Sequence, residues 1–122
     1  MNPIFNLQMA YPDPVLSPNS PKRHWRYKQP AKHTAKTEAF YKAVEHRSIF
    51  DGVKDLQLTL TFYPPTKARR DLDNAHASMK AALDGVCNGL DIDDSQIRRV
   101  TLEWGDVVKG GAVDLELKGY KG

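Results

Sequence analysis

The sequence predicts one α+β domain in which helices pack on a mixed β-sheet. Three observations point there. Four short stretches alternate apolar and polar residues with the period of two that marks a half-buried strand. Two longer stretches carry apolar residues at helical spacing. The 122 residues suffice for one core and are too few for two ordinary domains, so residues 1–122 read as one unit. The expected order is β-α-β-α-β-β, and a sheet covered by helices is the natural way to bury both kinds of apolar face.

Each element has its own signal. Ile4–Met9 reads as a strand with Phe5, Leu7 and Met9 on one face. Residues 12–30 carry five prolines among turn formers and read as a long loop. Its second half, continued to Lys36, is a basic tract with no acid, so 12–36 reads as a proline-rich basic loop. Residues 35–48 look helical, with Ala39, Phe40, Ala43 and Val44 at core spacing. Leu56–Tyr63 is the clearest strand: Leu56, Leu58, Leu60 and Phe62 face one way, and Gln57, Thr59 and Thr61 the other. Pro64 and Pro65 end it. A helix is expected from about Asn74 to Asn88, closed by Gly89. Ile97–Trp104 alternates again, with Val100, Leu102 and Trp104 inward. Gly105–Gly111 is a turn region, and Val113, Leu115 and Leu117 face the core from a last strand. The final two strands are expected to form an antiparallel hairpin.

Composition narrows the function. Hydrophobic residues are 40% and charged residues 27%, as in soluble globular proteins. No apolar run approaches the roughly 18 residues of a membrane span. The first residues lack a basic then apolar leader, so no secretory signal is expected. The single Cys87 cannot form an internal disulfide, which fits a reducing cytoplasm. The net charge of +3 hides an asymmetry. Residues 1–70 hold 12 Lys and Arg against 5 Asp and Glu, net +7, whereas residues 71–122 hold 6 against 10, net −4. A basic segment attracts polyanions, and clustered acids repel them unless cations intervene. Nucleic acid plus a metal satisfies both halves; ordinary charge scatter is the plainer alternative.

The stretch RRDLDNAHASMKAALDGVCNGLDIDDSQ, residues 69–96, concentrates the chemistry. Ala75, Met79, Ala82, Leu83 and Val86 form an apolar helix stripe. Asp73, Lys80 and Asp84 form a second stripe roughly opposite, Asp71 sits just before the helix, and Asp93 and Asp94 lie just beyond it. Asp71 or Asp73 can serve as an N-cap, Asp93-Asp94 as a solvated turn, and Lys80 with Asp84 as a surface pair. Read together, the carboxylates also suit Mg²⁺, which prefers hard oxygen ligands and keeps several waters. A metal so held activates water and stabilises charge at a phosphodiester, and a nearby lysine neutralises charge developing there. Arg69 and Arg70 would hold the phosphate backbone beside those acids.

The motifs RRDLDN, KAALDG and DDSQI resemble the RusA family of Holliday junction resolvases. The segment PDPVLSPNSPKRHW is similar to that family's proline-rich basic front, particularly in phage and prophage members. The resemblance covers roughly residues 7–118 and implies a homodimeric, Mg²⁺-dependent endodeoxyribonuclease, with Mn²⁺ as a substitute. Such an enzyme resolves four-way DNA junctions by paired incisions. It implies catalytic, metal-holding roles for Asp71, Asp73 and Asp94, with Asp93 as the neighbouring metal ligand, and it matches the family's lysine with Lys80. One departure stands out. Many members place that lysine four residues after the second Asp of DLDN, where this chain has Ala77. Lys80 comes three residues later, about 4.5 Å further along a helix. Two symmetric cuts call for two sites related by a dyad, hence a homodimer. Lys22, Arg23, Arg26, Lys28, Lys32 and Lys36 would track phosphates in a salt-sensitive way, joined by Arg69 and Arg70. Trp25 or Tyr27 would stack on an unpaired base or pack under the loop. No membrane and no organic cofactor is implied.

Other candidates are set aside. His24 and His33 lie in the basic tract, and His46 reads as surface. His76 has no second His or Cys at zinc-ligand spacing. Cys87 reads as core, and Glu103, Asp114 and Glu116 as outward strand positions. Two rival functions share the same features: a non-catalytic junction-binding module, and a metal nuclease acting on RNA or other branched DNA. A protein with no nucleic-acid role leaves the charge split and the acidic constellation as coincidences.

Overall fold

A computed structural model describes residues 2–21 and 25–120, and the side chain of Trp25 lies outside the description. The chain forms one α+β domain with a four-stranded mixed sheet. The strands are β1 (Ile4–Met9), β2 (Asp55–Tyr63), β3 (Ile97–Trp104) and β4 (Ala112–Tyr120). The helices are α1 (Trp25–Ala43), α2 (Leu72–Ser78) and α3 (Lys80–Leu90), with short 3-10 turns at Pro14–Leu16, Val44–His46 and Asp94–Gln96.

Alternation places the strand faces as expected. Leu56, Leu58, Leu60 and Phe62 of β2 and Val113, Leu115 and Leu117 of β4 are all buried, as are Phe5 and Met9 of β1. The stripe Ala75, Met79, Ala82 and Val86 is buried against them, with Leu83 partly buried beside it.

Strand pairing departs from expectation. The spatial order is β1-β4-β2-β3. β4 lies antiparallel between β1 and β2, and β3 runs parallel to β2, with Leu56 opposite Ile97 and Phe62 opposite Trp104. The last two strands therefore form no hairpin. β4 gains two neighbours by inserting centrally, which buries its apolar face completely. β3 is left at an edge, so Val100, expected inward, is 46% exposed.

The helices also differ. The order is β-α-β-α-α-β-β, because the helix expected over 74–88 breaks at Met79. Ser78 donates its hydroxyl to the Asn74 carbonyl at 2.8 Å, and the Met79 amide reaches back only three residues, to His76, at 3.0 Å. Both tighten the turn at the break. Gly89 is not the stop. Asp91 ends α3 in a left-handed conformation, φ 56°, with the Ile92 amide bonded to Cys87. Gly89 lies inside α3, where a Cβ would stand 2.8 Å from the Ala43 Cβ. At Gly85 a Cβ would fall on the Lys36 carbonyl oxygen. Both glycines let α1 and α3 pack closely and run in the same direction.

That packing explains the largest correction. Residues 25–36, expected in a loop, are helical, and the helix expected over 35–48 begins at Trp25 and gives way to a 3-10 turn at Val44. Pro30 sits inside α1 and removes one backbone bond, normally a severe local cost. The apolar side of α1, with Ala39 and Ala43 fully covered, recovers it through contact with α3 and the sheet. No described helix is long and apolar enough to cross a membrane.

Candidate functional site

The approach to α2 is built by Arg70. Its guanidinium donates to the carbonyls of Thr66 and Ala68, each at 2.8 Å, and to the Thr66 hydroxyl at 2.9 Å. It also lies 6.0 Å from the centre of the Tyr11 ring. Residues 66–70 are thereby folded around one cation, and Asp71 emerges from them in extended conformation. Asp71 accepts the Asp73 amide at 2.8 Å and caps α2. Asp73 stands exposed in the first turn.

Asp71, Asn74, Arg69 and Arg70 line an open cleft of about 1070 Å³, closed on other sides by Tyr11, Asp13, Ser17 and Trp104. Trp104 ends β3 and packs on Phe62 with ring centres 5.6 Å apart. The cleft therefore sits at the C-terminal ends of β2 and β3. Sequence reading missed Tyr11, Asn74 and Trp104 as its walls. Trp104 alternates like any core residue, and nothing local marks its open edge. Burial raises the Tyr11 phenol above its ordinary range, and Arg70 partly offsets this.

The basic residues fall into three groups. Lys22 and Arg23, with His24, lie outside the described residues. Arg26 is exposed on α1, and Lys28, Lys32 and Lys36 recur every four residues, forming one stripe along the helix. Lys28 donates to the Ser17 carbonyl at 3.5 Å, so the start of this stripe adjoins the cleft. Arg69 is exposed at the cleft, whereas Arg70 is engaged with its own loop. Tyr27 is 49% exposed.

The second acidic pair lies elsewhere. Asp93 accepts the Ser95 amide at 2.9 Å, while its own amide donates to the Gln96 side chain at 2.8 Å. Gln96 in turn donates to the Val53 carbonyl at 3.0 Å. This capping box turns the chain into β3. The Ser95 backbone bond, then the Ser95 and Asp94 side chains, hold the Asp93 carboxyl below its usual range. Asp94 is exposed. Burial, then the charges of Asp94, Asp84 and Asp93, push the Cys87 thiol up to about 11. A thiol so raised is a poor nucleophile at neutral pH.

The two carboxylate pairs are thus brought to opposite ends of the domain. Asp71 faces Trp104 at the C-terminal end of β3, and Asp94 precedes Ile97 at its N-terminal end. An eight-residue strand separates them by roughly 25 Å. Lys80 is exposed at the start of α3, beyond the Met79 break, so it and Asp84 share a helix that Asp73 does not. Among the described residues, no three His, Cys, Asp or Glu side chains are gathered to hold a metal ion. Each pair offers the hard oxygens that Mg²⁺ takes with water completing its shell, but one chain does not unite them. Of the remaining acids, Glu103 accepts the Thr61 hydroxyl at 2.9 Å, and Asp114 accepts from Gln8 at 3.3 Å on the face of the sheet away from the helices.

No family model matches the chain. It is similar to an uncharacterised protein of Xylella fastidiosa (strain Temecula1 / ATCC 700964), with 29% identity over 119 residues, covering 93% of this chain and 76% of that relative.

Proposed function

We propose that this protein is a Mg²⁺-dependent, structure-selective endodeoxyribonuclease that resolves four-way DNA junctions as a homodimer. The observation that carries the reading is the meeting of opposite charges at one cleft. Arg69 and Asp71 line the same cleft, the start of the α1 lysine stripe adjoins it through the Ser17 carbonyl, and Asp73 follows Asp71 in the first turn of α2. A polyanion attracted by the bases would meet carboxylates that repel it, and a divalent cation resolves that conflict. Resemblance of RRDLDN and DDSQI to the RusA family supports the same reading.

The chain's own groups have distinct tasks in it. Arg69 and the lysines of α1 hold phosphates, with little dependence on sequence. Arg70 fixes the loop that aims Asp71. Asp71, Asp73, Asp93 and Asp94 hold the cation, and Lys80 neutralises charge near the cut. When bound, the metal supplies water activation and charge stabilisation at the phosphodiester. A two-fold partner accounts for the separation of the acid pairs, since it can lay one end of each chain beside the other end of its mate. A reducing cytoplasm is the compartment this reading takes, and the free, buried Cys87 tolerates it.

The test uses a synthetic four-way junction and a linear duplex of the same arms, each with Mg²⁺ or EDTA. Paired, Mg²⁺-dependent nicks confined to the junction, and lost in Asp73→Asn, are expected. The separation of the acid pairs within one chain favours a second reading, a junction-binding module without catalysis. Tight binding of an intact junction under every divalent metal would establish that one instead. Faster cleavage of a matched RNA or flap substrate would redirect the enzyme to a different nuclease class.

A further inference from the structure

The edge of the sheet at β3 carries features that neither its own fold nor the cleft uses. The strand bonds to β2 on one side, and its other side is an edge. The Gly105 amide donates to the Phe62 carbonyl at 2.8 Å, so position 105 turns its backbone toward β2. By alternation, Arg99, Thr101 and Glu103 do the same, and Val100, Leu102 and Trp104 turn their N–H and C=O groups outward. No described backbone group outside the sheet bonds to them. An open row of donors and acceptors is a template for another strand. Val100, 46% exposed at the middle of this edge, adds apolar surface there.

The side chains select both partner and register. We propose that β3 pairs antiparallel with β3 of a second copy of this chain, about a two-fold axis at Thr101. In that register Arg99 faces Glu103 of the partner subunit, and symmetry repeats the pair. Val100 meets Leu102 of the partner subunit on the helix-bearing face. Thr101 meets Thr101 of the partner subunit at the axis. Shifting the register by two residues in either direction loses the charge match: Arg99 then faces Thr101 or Gly105 of the partner subunit. Both charged groups are already held on one face of the sheet. Arg99 stacks over Tyr120 at 4.8 Å from the ring centre, and Glu103 is bonded to Thr61. The extra residue at Arg98, where β2 and β3 slip register, limits the ladder to the strand beyond it.

This pairing names the interface of the homodimer in the proposed function and rests on that homodimer, though not on catalysis. It also has a consequence for the acids. Antiparallel strands set the C-terminal end of β3, beside Asp71, against the N-terminal end of the partner's β3, which directly follows Asp94 of the partner subunit.

Two measurements test it in the full chain. The first places Thr101→Cys in a Cys87→Ala background and treats it with diamide. Facing residues at a non-hydrogen-bonded antiparallel site lie within disulfide reach. A covalent dimer is expected from Thr101→Cys and none from the exposed control Ser48→Cys. The second is sedimentation velocity. Arg99→Glu and Glu103→Arg should each weaken dimerisation roughly tenfold or more, and the double reversal should restore it. A protein that stays monomeric at tens of micromolar overturns the proposal. So does a dimer that ignores both reversals and cross-links no better at Thr101 than at Ser48. A dimer with this pattern that cuts no junction refutes the nuclease reading alone, and junction cutting by a monomer refutes the pairing alone.

Discussion

Asp71 accepts the Asp73 amide, and that bond holds the first turn of α2. Its capping role and its proposed metal-holding role are separable by substitution. Asp71→Ala should lower stability by about 1 kcal/mol in urea denaturation, the usual worth of an N-cap. Asp71→Asn keeps a capping oxygen and should unfold near the parent midpoint while losing Mg²⁺-dependent cutting. Equal stability losses in both variants would mean that the charge, not the cap, matters to the fold. Cys87 offers a second test at this scale. Burial and three nearby acids push its thiol up to about 11. A pKa raised above the unfolded value adds stability below the unfolded pKa, and that stability fades as pH climbs through the folded one. Stability should therefore fall between about pH 9 and pH 11, and less so in Cys87→Ala. Alkylation at pH 8 should be slow in the native protein and fast in urea.

At the scale of elements, the contact of α1 with α3 decides more than any local preference. Gly85 and Gly89 allow it, and their neighbours are backbone atoms and the Cβ atoms of Ala39 and Ala43, which yield little. Gly85→Ala should cost about 1–3 kcal/mol, the range for overpacking a tight interface, even though alanine favours helices. Because that contact sustains α1 past Pro30, circular dichroism should show helix loss beyond one residue's share. The sequence makes the amphipathic stripe of residues 75–86 legible, but hides the helical state of residues 25–34. One proline, two lysines and a histidine there show no apolar period, and only the partner helix makes the conformation favourable. The Met79 break is hidden for a similar reason: it depends on the Ser78 hydroxyl choosing the Asn74 carbonyl over solvent.

For the whole molecule, charge layout is what would govern the proposed binding to DNA. The lysine stripe on α1 is a rigid row, not a mobile tract, so its contribution should be nearly additive along the helix. Junction affinity should fall linearly on a log–log plot against salt, and Lys32→Ala should make that slope shallower by roughly one. An unchanged slope would remove Lys32 from the DNA contact. The strand faces, the core stripe, the two carboxylate pairs and the basic front half were all determined by the sequence itself, because periodicity and composition are local properties. Which strand pairs with which was decided by tertiary structure alone. So were the insertion of β4 between β1 and β2 and the parting of the acid pairs to opposite ends. The physical reason is that a period of two states which side of a strand is apolar and says nothing about its neighbour. Pairing is chosen by burying all such faces at once.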